Sequence, residues 1–177
     1  MFNRAADKIK IFFISSTIVW LIVNTETAHA NDWIAMESEE DCLLMTTEKK
    51  KGNLDYPSTL FLSFNKTNIT SGAAVQNFEW GLDPRRTQVK IRVDSGATKT
   101  LNAYLQQNVM AVKASDLLRK FEQDFKSGYQ ANLLNKNGKK ISSFSLMGFT
   151  KAYGSFEGCV TPVLLNKKKF AKTQKSG

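Results

Sequence analysis

Histidine occurs once, at His29, inside a segment that reads as a removable leader. A chain that sheds it has no imidazole for a nucleophilic triad, for general-base work near neutral pH, or for a histidine-bearing zinc site. Proline is scarce as well, at 3 of 177 residues. With 42% hydrophobic and 23% charged residues, the composition excludes a disordered, collagen-like or multi-span membrane chain and fits one folded domain with a sizeable core. Phosphate-cradling loops of the G-x-G-x-x-G or G-x-x-x-x-G-K type are absent.

What is present begins with an export signal. Arg4, Lys8 and Lys10 precede the uncharged apolar run Ile11 to Val23, which Asn24, Thr25 and Glu26 end abruptly. That run is shorter than the roughly 20 apolar residues of a spanning helix. Ala28-His29-Ala30 supplies the small-x-small pattern of a signal-peptidase site, so residues 1–30 read as a signal peptide and the exported chain is expected to start at Asn31. An uncleaved anchor is the alternative.

Two cysteines remain, Cys42 and Cys159, near the ends of the exported part. An oxidising compartment favours one intramolecular disulfide; two buried thiols or an intermolecular link are the other arrangements. Charge is unevenly placed. Losing the leader takes the chain from 25 basic and 16 acidic residues to 22 and 14, or +8, and five of those positive charges are Lys167, Lys168, Lys169, Lys172 and Lys175. The expected layout is a single domain over 31–165 and a flexible basic tail over 166–177, a candidate site for anionic lipid, lipopolysaccharide or other polyanions. Specific nucleic-acid recognition is not expected, and a solvated terminus that aids solubility is the plainer reading.

Hydrophobic periodicity predicts strands over 32–38, 42–48 and 59–64, the last with Leu60, Leu62 and Phe64 on one face, and a polar loop over 49–57. Further strands are predicted over 75–80, closed by a turn at Asp83-Pro84, over 88–93 and 99–105, with 109–112 continuing or re-entering the sheet. Ser115 reads as the N-cap of a helix whose apolar stripe is Leu117, Leu118, Phe121 and Phe125. Strands over 129–135 and 141–146 flank Asn137-Gly138, a pair suited to a type I′ hairpin turn. Phe149 to Phe156 reads as a short second helix. The fold class is therefore mainly β (α+β): an antiparallel sandwich or one strongly curved sheet, with one full helix and one short C-terminal helix.

Chemistry-bearing groupings are few. Gly154-Ser155-Phe156-Glu157-Gly158 has its serine one place early for a nucleophile elbow, and Thr47-Glu48-Lys49-Lys50 is a strand end followed by lysines. The acidic stretch Glu37, Glu39, Glu40, Asp41 lacks a calcium-loop pattern. No catalytic residue, metal ligand or cofactor is assigned. Trp33, Trp80, Tyr104, Tyr129, Phe144, Phe149 and Tyr153 could stack on bases or sugars, but at this spacing they read as core.

A longer pattern emerges from residue 89 onward: Val89-Lys90-Ile91-Arg92-Val93-Asp94-Ser95-Gly96, a helix, a glycine-turn hairpin, and Ser145-Leu146-Met147-Gly148-Phe149-Thr150-Lys151-Ala152. With Asp32-Trp33 and Cys42-Leu43 at the start, this order resembles the invasion-associated locus B family of exported alphaproteobacterial proteins, over roughly residues 32–156. The chain differs in carrying Gln106, Gln107, Asn108 and Ala111 where that family usually has a central cysteine pair, as a diverged member would. The resemblance implies a mainly β protein of the periplasm, cell surface or secreted fraction, without catalytic activity, that interacts with an envelope or host protein and is linked in some members to host-cell entry and virulence.

Overall fold

The computed structural model describes residues 33–48 and 57–173. The leader, its cleavage point, residues 49–56 of the predicted loop and Lys175 lie outside the described residues.

Nine strands form one antiparallel sheet in the order β1-β2-β3-β4-β7-β6-β5-β8-β9, curled into a half-barrel. They are β1 (Ile34–Glu37), β2 (Asp41–Thr47), β3 (Thr59–Asn65), β4 (Thr70–Gln76), β5 (Leu82–Val93), β6 (Lys99–Gln107), β7 (Val109–Val112), β8 (Gln130–Leu134) and β9 (Lys140–Ser145). Of the two predicted architectures, the curved sheet is the one observed. Alternation along each strand sends Cys42, Leu44, Leu60, Leu62, Phe64, Val89, Ile91, Leu101 and Leu105 into the concave side, where all are buried. Helix α1 (Ala114–Ser127) lays Leu117, Phe121 and Phe125 into that concavity. Phe125 lines a small apolar cavity of about 20 Å³ together with Leu60, Val75 and Ile91.

The curl brings the sheet's far strand back beside its near end. The Trp33 indole Nε1 donates to the Ser145 carbonyl at 2.8 Å, the Ser143 amide donates to Glu48 Oε1 at 3.0 Å, and the Ser58 and Ser142 hydroxyls bond at 2.6 Å. Side chains rather than a strand ladder thus satisfy the outer edge of β9, which leaves that edge less able to pair with another chain. The Asp-x-Gly turn after β5 ties that strand's end to the start of β8 in a similar way. Asp94, at φ +48°, accepts the amides of Tyr129 and Gln130 at 3.0 and 2.9 Å, so its carboxylate fixes where β8 starts.

Several local departures have physical causes. Strand β4 occupies 70–76 rather than 75–80, because the Asn77 side chain accepts the Glu79 amide and turns the chain there. Strand β5 runs through Asp83-Pro84 as a register shift between Leu82 and Arg85, where the missing proline N–H leaves no gap in a regular ladder. Helix α1 begins two residues early, capped by Lys113 rather than Ser115 and without a side-chain bond, because Ala114 is already packed in the core. The hairpin between β8 and β9 has only Gly138 at positive φ (+82°), with the Gly138 amide donating to the Asn135 carbonyl at 2.9 Å. That is a three-residue loop ending in a left-handed glycine, not the type I′ turn.

The largest departure is helix α2 (Phe149–Thr173). Instead of ending at Phe156, it passes Gly158 and Pro162 and takes in most of the segment predicted as a flexible tail. The apolar stripe that opens with Phe149, Ala152, Tyr153 and Phe156 continues through Cys159, Val160 and Val163, which stay packed against the core. Packing outweighs the local cost of glycine and proline. Gly154 and Gly158 are exposed in mid-helix, and an added Cβ would meet nothing within 4 Å at either. Gly154→Ala and Gly158→Ala are each expected to raise the unfolding free energy by about 0.5–1 kcal/mol, measured by urea titration.

Candidate interaction surface

Because both helices lie against the concave side, the opposite face of the sheet has to be read strand by strand. Odd-numbered residues of β2 and β3 point outward, and three of these eight are apolar, Leu43, Met45 and Phe61, set among Asp41, Thr47, Thr59, Ser63 and Asn65. Strand register assembles a row across the sheet. Ile34 pairs with Met45, Met45 with Phe61, Phe61 with Ala74, Ala74 with Ala111, Ala111 with Tyr104, and Tyr104 with Arg86. Seven strands at about 4.8 Å give a row about 29 Å long. Met36 and Leu43 continue the apolar surface one row away. Ile34 is 49% exposed and Met36 47% exposed, which is unusual for large apolar side chains on a bare sheet face.

The two ends of this face differ in charge. Beside β1, the exposed Glu39, Glu40 and Asp41 make no ion pair among the described residues, whereas Glu37 is neutralised by Lys66 at 2.7 Å. At the other end, β5 turns Arg86, Lys90 and Arg92 outward while Val89, Ile91 and Val93 face the core. None of those three cations is ion-paired among the described residues.

The residues singled out in the sequence fall elsewhere. Cys42 on β2 and Cys159 on α2 form the intramolecular disulfide, with Cα atoms 6.1 Å apart. Such a bond is compatible with an exported protein, and no described helix is long and apolar enough to cross a membrane. Lys167 is exposed on α2, and Lys168, Lys169 and Lys172 belong to the same helix. Of the aromatic set, Trp33, Phe144, Phe149 and Tyr153 are buried, Trp80 and Tyr104 half-buried, and Tyr129 is 76% exposed.

Groups capable of chemistry are engaged otherwise. Glu48 is spent on the β9 edge, and Ser155 sits on α2 with its hydroxyl donating to the Lys151 carbonyl at 3.5 Å. The buried Ser58 hydroxyl has Ser142 and the Asn77 amide as partners, neither of which takes up a proton near neutral pH. Among the described residues no three His, Cys, Asp or Glu side chains converge as metal ligands. A depression of about 640 Å³, broadly open to solvent, is lined by one stretch of α2 around Pro162 and Leu165.

One titrating cluster joins the helices. Lys126 bonds Glu122 at 2.6 Å and stands 4.9 Å over the Tyr153 ring. The bond to Glu122 is the chief cause holding the Lys126 ammonium above its ordinary range. The Tyr153 phenol is also pushed up, first by burial and then by the Glu122 and Glu157 carboxylates. An unfolded tyrosine ionises near pH 10 while the folded one keeps its proton, so this group's contribution is intact below pH 10 and is lost as pH rises beyond it. Tyr153→Phe is expected to remove a slope of about 1.4 kcal/mol per pH unit from the alkaline limb of a stability profile, read by denaturant titration between pH 9 and 11.5.

No family model matches the chain, and neither a curated protein nor a solved structure matches it. The fold and the surface define a class: a disulfide-stapled, mainly β half-barrel with a half-buried apolar row on its outer face.

Proposed function

We propose that this chain is an exported, non-enzymatic interaction protein of the envelope or secreted fraction, in line with its resemblance to invasion-associated proteins, and that it engages an envelope or host protein through the outer face of its sheet. The observation that carries this reading is the in-register row Ile34-Met45-Phe61-Ala74-Ala111-Tyr104, apolar on a face that neither helix covers. Surfaces of this kind are rare on proteins that act alone and common where proteins meet. The leader pattern and the disulfide support export. A photo-crosslinking side chain at position 61 in producing cells is expected to give a discrete adduct, and one at the exposed Lys151 of α2 none. Equal labelling from both positions, or none from either, would overturn the reading.

A second reading rests on α2. Leu164 and Leu165 are 39% and 52% exposed beside Lys167, on a helix that continues through Lys168, Lys169 and Lys172. A basic, partly apolar helix end suits an anionic lipid or lipopolysaccharide surface. The same lysines also complement the negative end of the helix dipole. If they act on a membrane, binding to anionic vesicles falls steeply with salt and disappears when residues 166–177 are removed.

A further inference from the structure

The far end of the outer face, away from the exposed Ile34 and Met36, carries a second feature, and we infer that it is a binding strip for a sulfated polysaccharide chain. Strand β5 turns Arg86, Lys90 and Arg92 outward, and register sets Lys140 in line with Lys90 across Leu134. None of these four cations makes an ion pair among the described residues. Strands β6, β8 and β9 contain no Asp or Glu, and the one acid of β5, Asp83, lies at its start. Asp94, just past Arg92, is committed to the Tyr129 and Gln130 amides, and Glu48 to the Ser143 amide at the edge of β9. The field over this end of the sheet is therefore positive, and it draws an anionic partner.

Geometry selects a thin, linear one. Arg86, Lys90 and Arg92 are strung along a single strand, about 20 Å from first to last at about 3.4 Å per residue. The curl of the half-barrel runs across the strands, so it leaves these three on one line. A flat anionic membrane would meet the convex face along a narrow ridge, whereas an extended chain follows the strand.

Chemistry selects a sugar polymer over a nucleic acid. Among the cations lie amides and a hydroxyl, with exposed Gln88 opposite exposed Asn102 and Lys90 opposite Thr100, and these groups hydrogen-bond sugar hydroxyls. The aromatic in this register, Tyr104 opposite Arg86, is half-buried, so the strip has no series of rings on which successive bases could stack. Guanidinium forks at both ends suit two-pronged contact with a tetrahedral oxyanion such as sulfate. Leu134 is only 5% exposed between Lys90 and Lys140, as expected where lysine stems lie over an apolar side chain and hold their ammonium groups in water.

Calorimetric titration of the disulfide-intact chain with heparin at several salt concentrations tests this. Arg86→Gln, Lys90→Gln and Arg92→Gln together are expected to weaken binding at least about tenfold and to flatten the salt dependence by a log-log slope of about two, because three cations leave the contact. Lys113→Gln, Lys151→Gln and Lys167→Gln remove the same charge at exposed positions on other parts of the chain and are expected to change affinity less than about threefold. Desulfated heparin and a single-stranded oligonucleotide of matched charge are each expected to bind at least about tenfold more weakly than heparin. Acetylation of the unsubstituted chain gives an answer that does not depend on how the variants fold: heparin should shield Lys90 and Lys140 but not Lys113 and Lys151. Equal losses in the two triple variants, equal shielding of all four lysines, or an oligonucleotide that binds as well as heparin overturns the proposal. Any of these leaves the reading of the apolar row standing, since crosslinking at position 61 tests that row separately.

Discussion

Replacing both half-cystines, as Cys42→Ala with Cys159→Ala, is expected to lower the unfolding free energy by about 4–5 kcal/mol and the melting temperature by about 10–20 °C. The bond closes a loop with a sequence separation of 117, joining a strand near the start of the domain to the helix that ends it. In the chain-entropy account, a cross-link over so long a loop removes more freedom from the unfolded chain than a local one does. Few domains have more than 15 kcal/mol in hand, so the loss is a large share of the total. A structural consequence accompanies it. The first half of α2 is held by Phe149, Tyr153 and Phe156 in the core, but beyond Cys159 the packing among the described residues comes down to Val160 and Val163, and Pro162 interrupts the helix's hydrogen bonding. The reduced chain should therefore lose helical ellipticity from the end of α2 before global melting. Urea titrations with and without dithiothreitol, with circular dichroism as readout, check both parts. A reduced protein within about 1 kcal/mol of the oxidised one would show that the bond only decorates a fold that packing already specifies.

Much of this architecture is legible in the chain because its signals are local. Alternation of Val89, Ile91 and Val93, the stripe of Leu117, Phe121 and Phe125, and the break at Gly128 each concern neighbouring residues, and α1 and the strands other than β4 and the start of β5 fall within a few positions of the expected ones. The half-cystines were legible from the compartment. The long α2 was not: Gly154, Gly158 and Pro162 are punctuation by propensity, and only the packing of Val160 and Val163, together with the Cys159 tether, carries the helix past them.

The candidate surface was hidden for a different reason. Reading Leu60, Leu62 and Phe64 as the apolar face of β3 is correct for the core, yet it passes over Phe61 between them. The near-continuous runs Leu43-Leu44-Met45 and Leu60-Phe61-Leu62 were the available signal, since a strand with one wet face should alternate. Even so, the row itself joins residues from 34 to 111 through five pairings, and no local pattern encodes register across strands separated by a helix-length of chain or more.

Phe149→Ala is expected to cost about 3–5 kcal/mol, as truncation of a fully enclosed phenylalanine does. Phe149 has no exposed surface and sits where three parts of the fold meet. Its ring centroid lies 4.9 Å from that of Trp33 and 5.4 Å from that of Phe125, both edge-on, and stacks on Tyr153 at 5.2 Å. It therefore joins the residue that ties the start of β1 to the end of β9, the inner face of α1 and the next turn of α2. Edge and stacked contacts of this kind add about 0.5–1.5 kcal/mol each beyond the burial itself, so the cost belongs at the upper end of the range unless the cluster collapses inward. Gly148 before it holds φ at +85°, which sets the direction in which α2 leaves β9 and so aims the ring at this position. Trp33 supplies an optical reporter: loss of the ring should brighten or red-shift its emission before unfolding, because the indole's neighbour is gone while its bond to the Ser145 carbonyl remains. Trp33→Ala combined with Phe149→Ala should then destabilise by less than the sum of the two, since each removes the same aromatic contact. A melting temperature unchanged by Phe149→Ala, or strict additivity in the double variant, would mean that the half-barrel closes without this cluster.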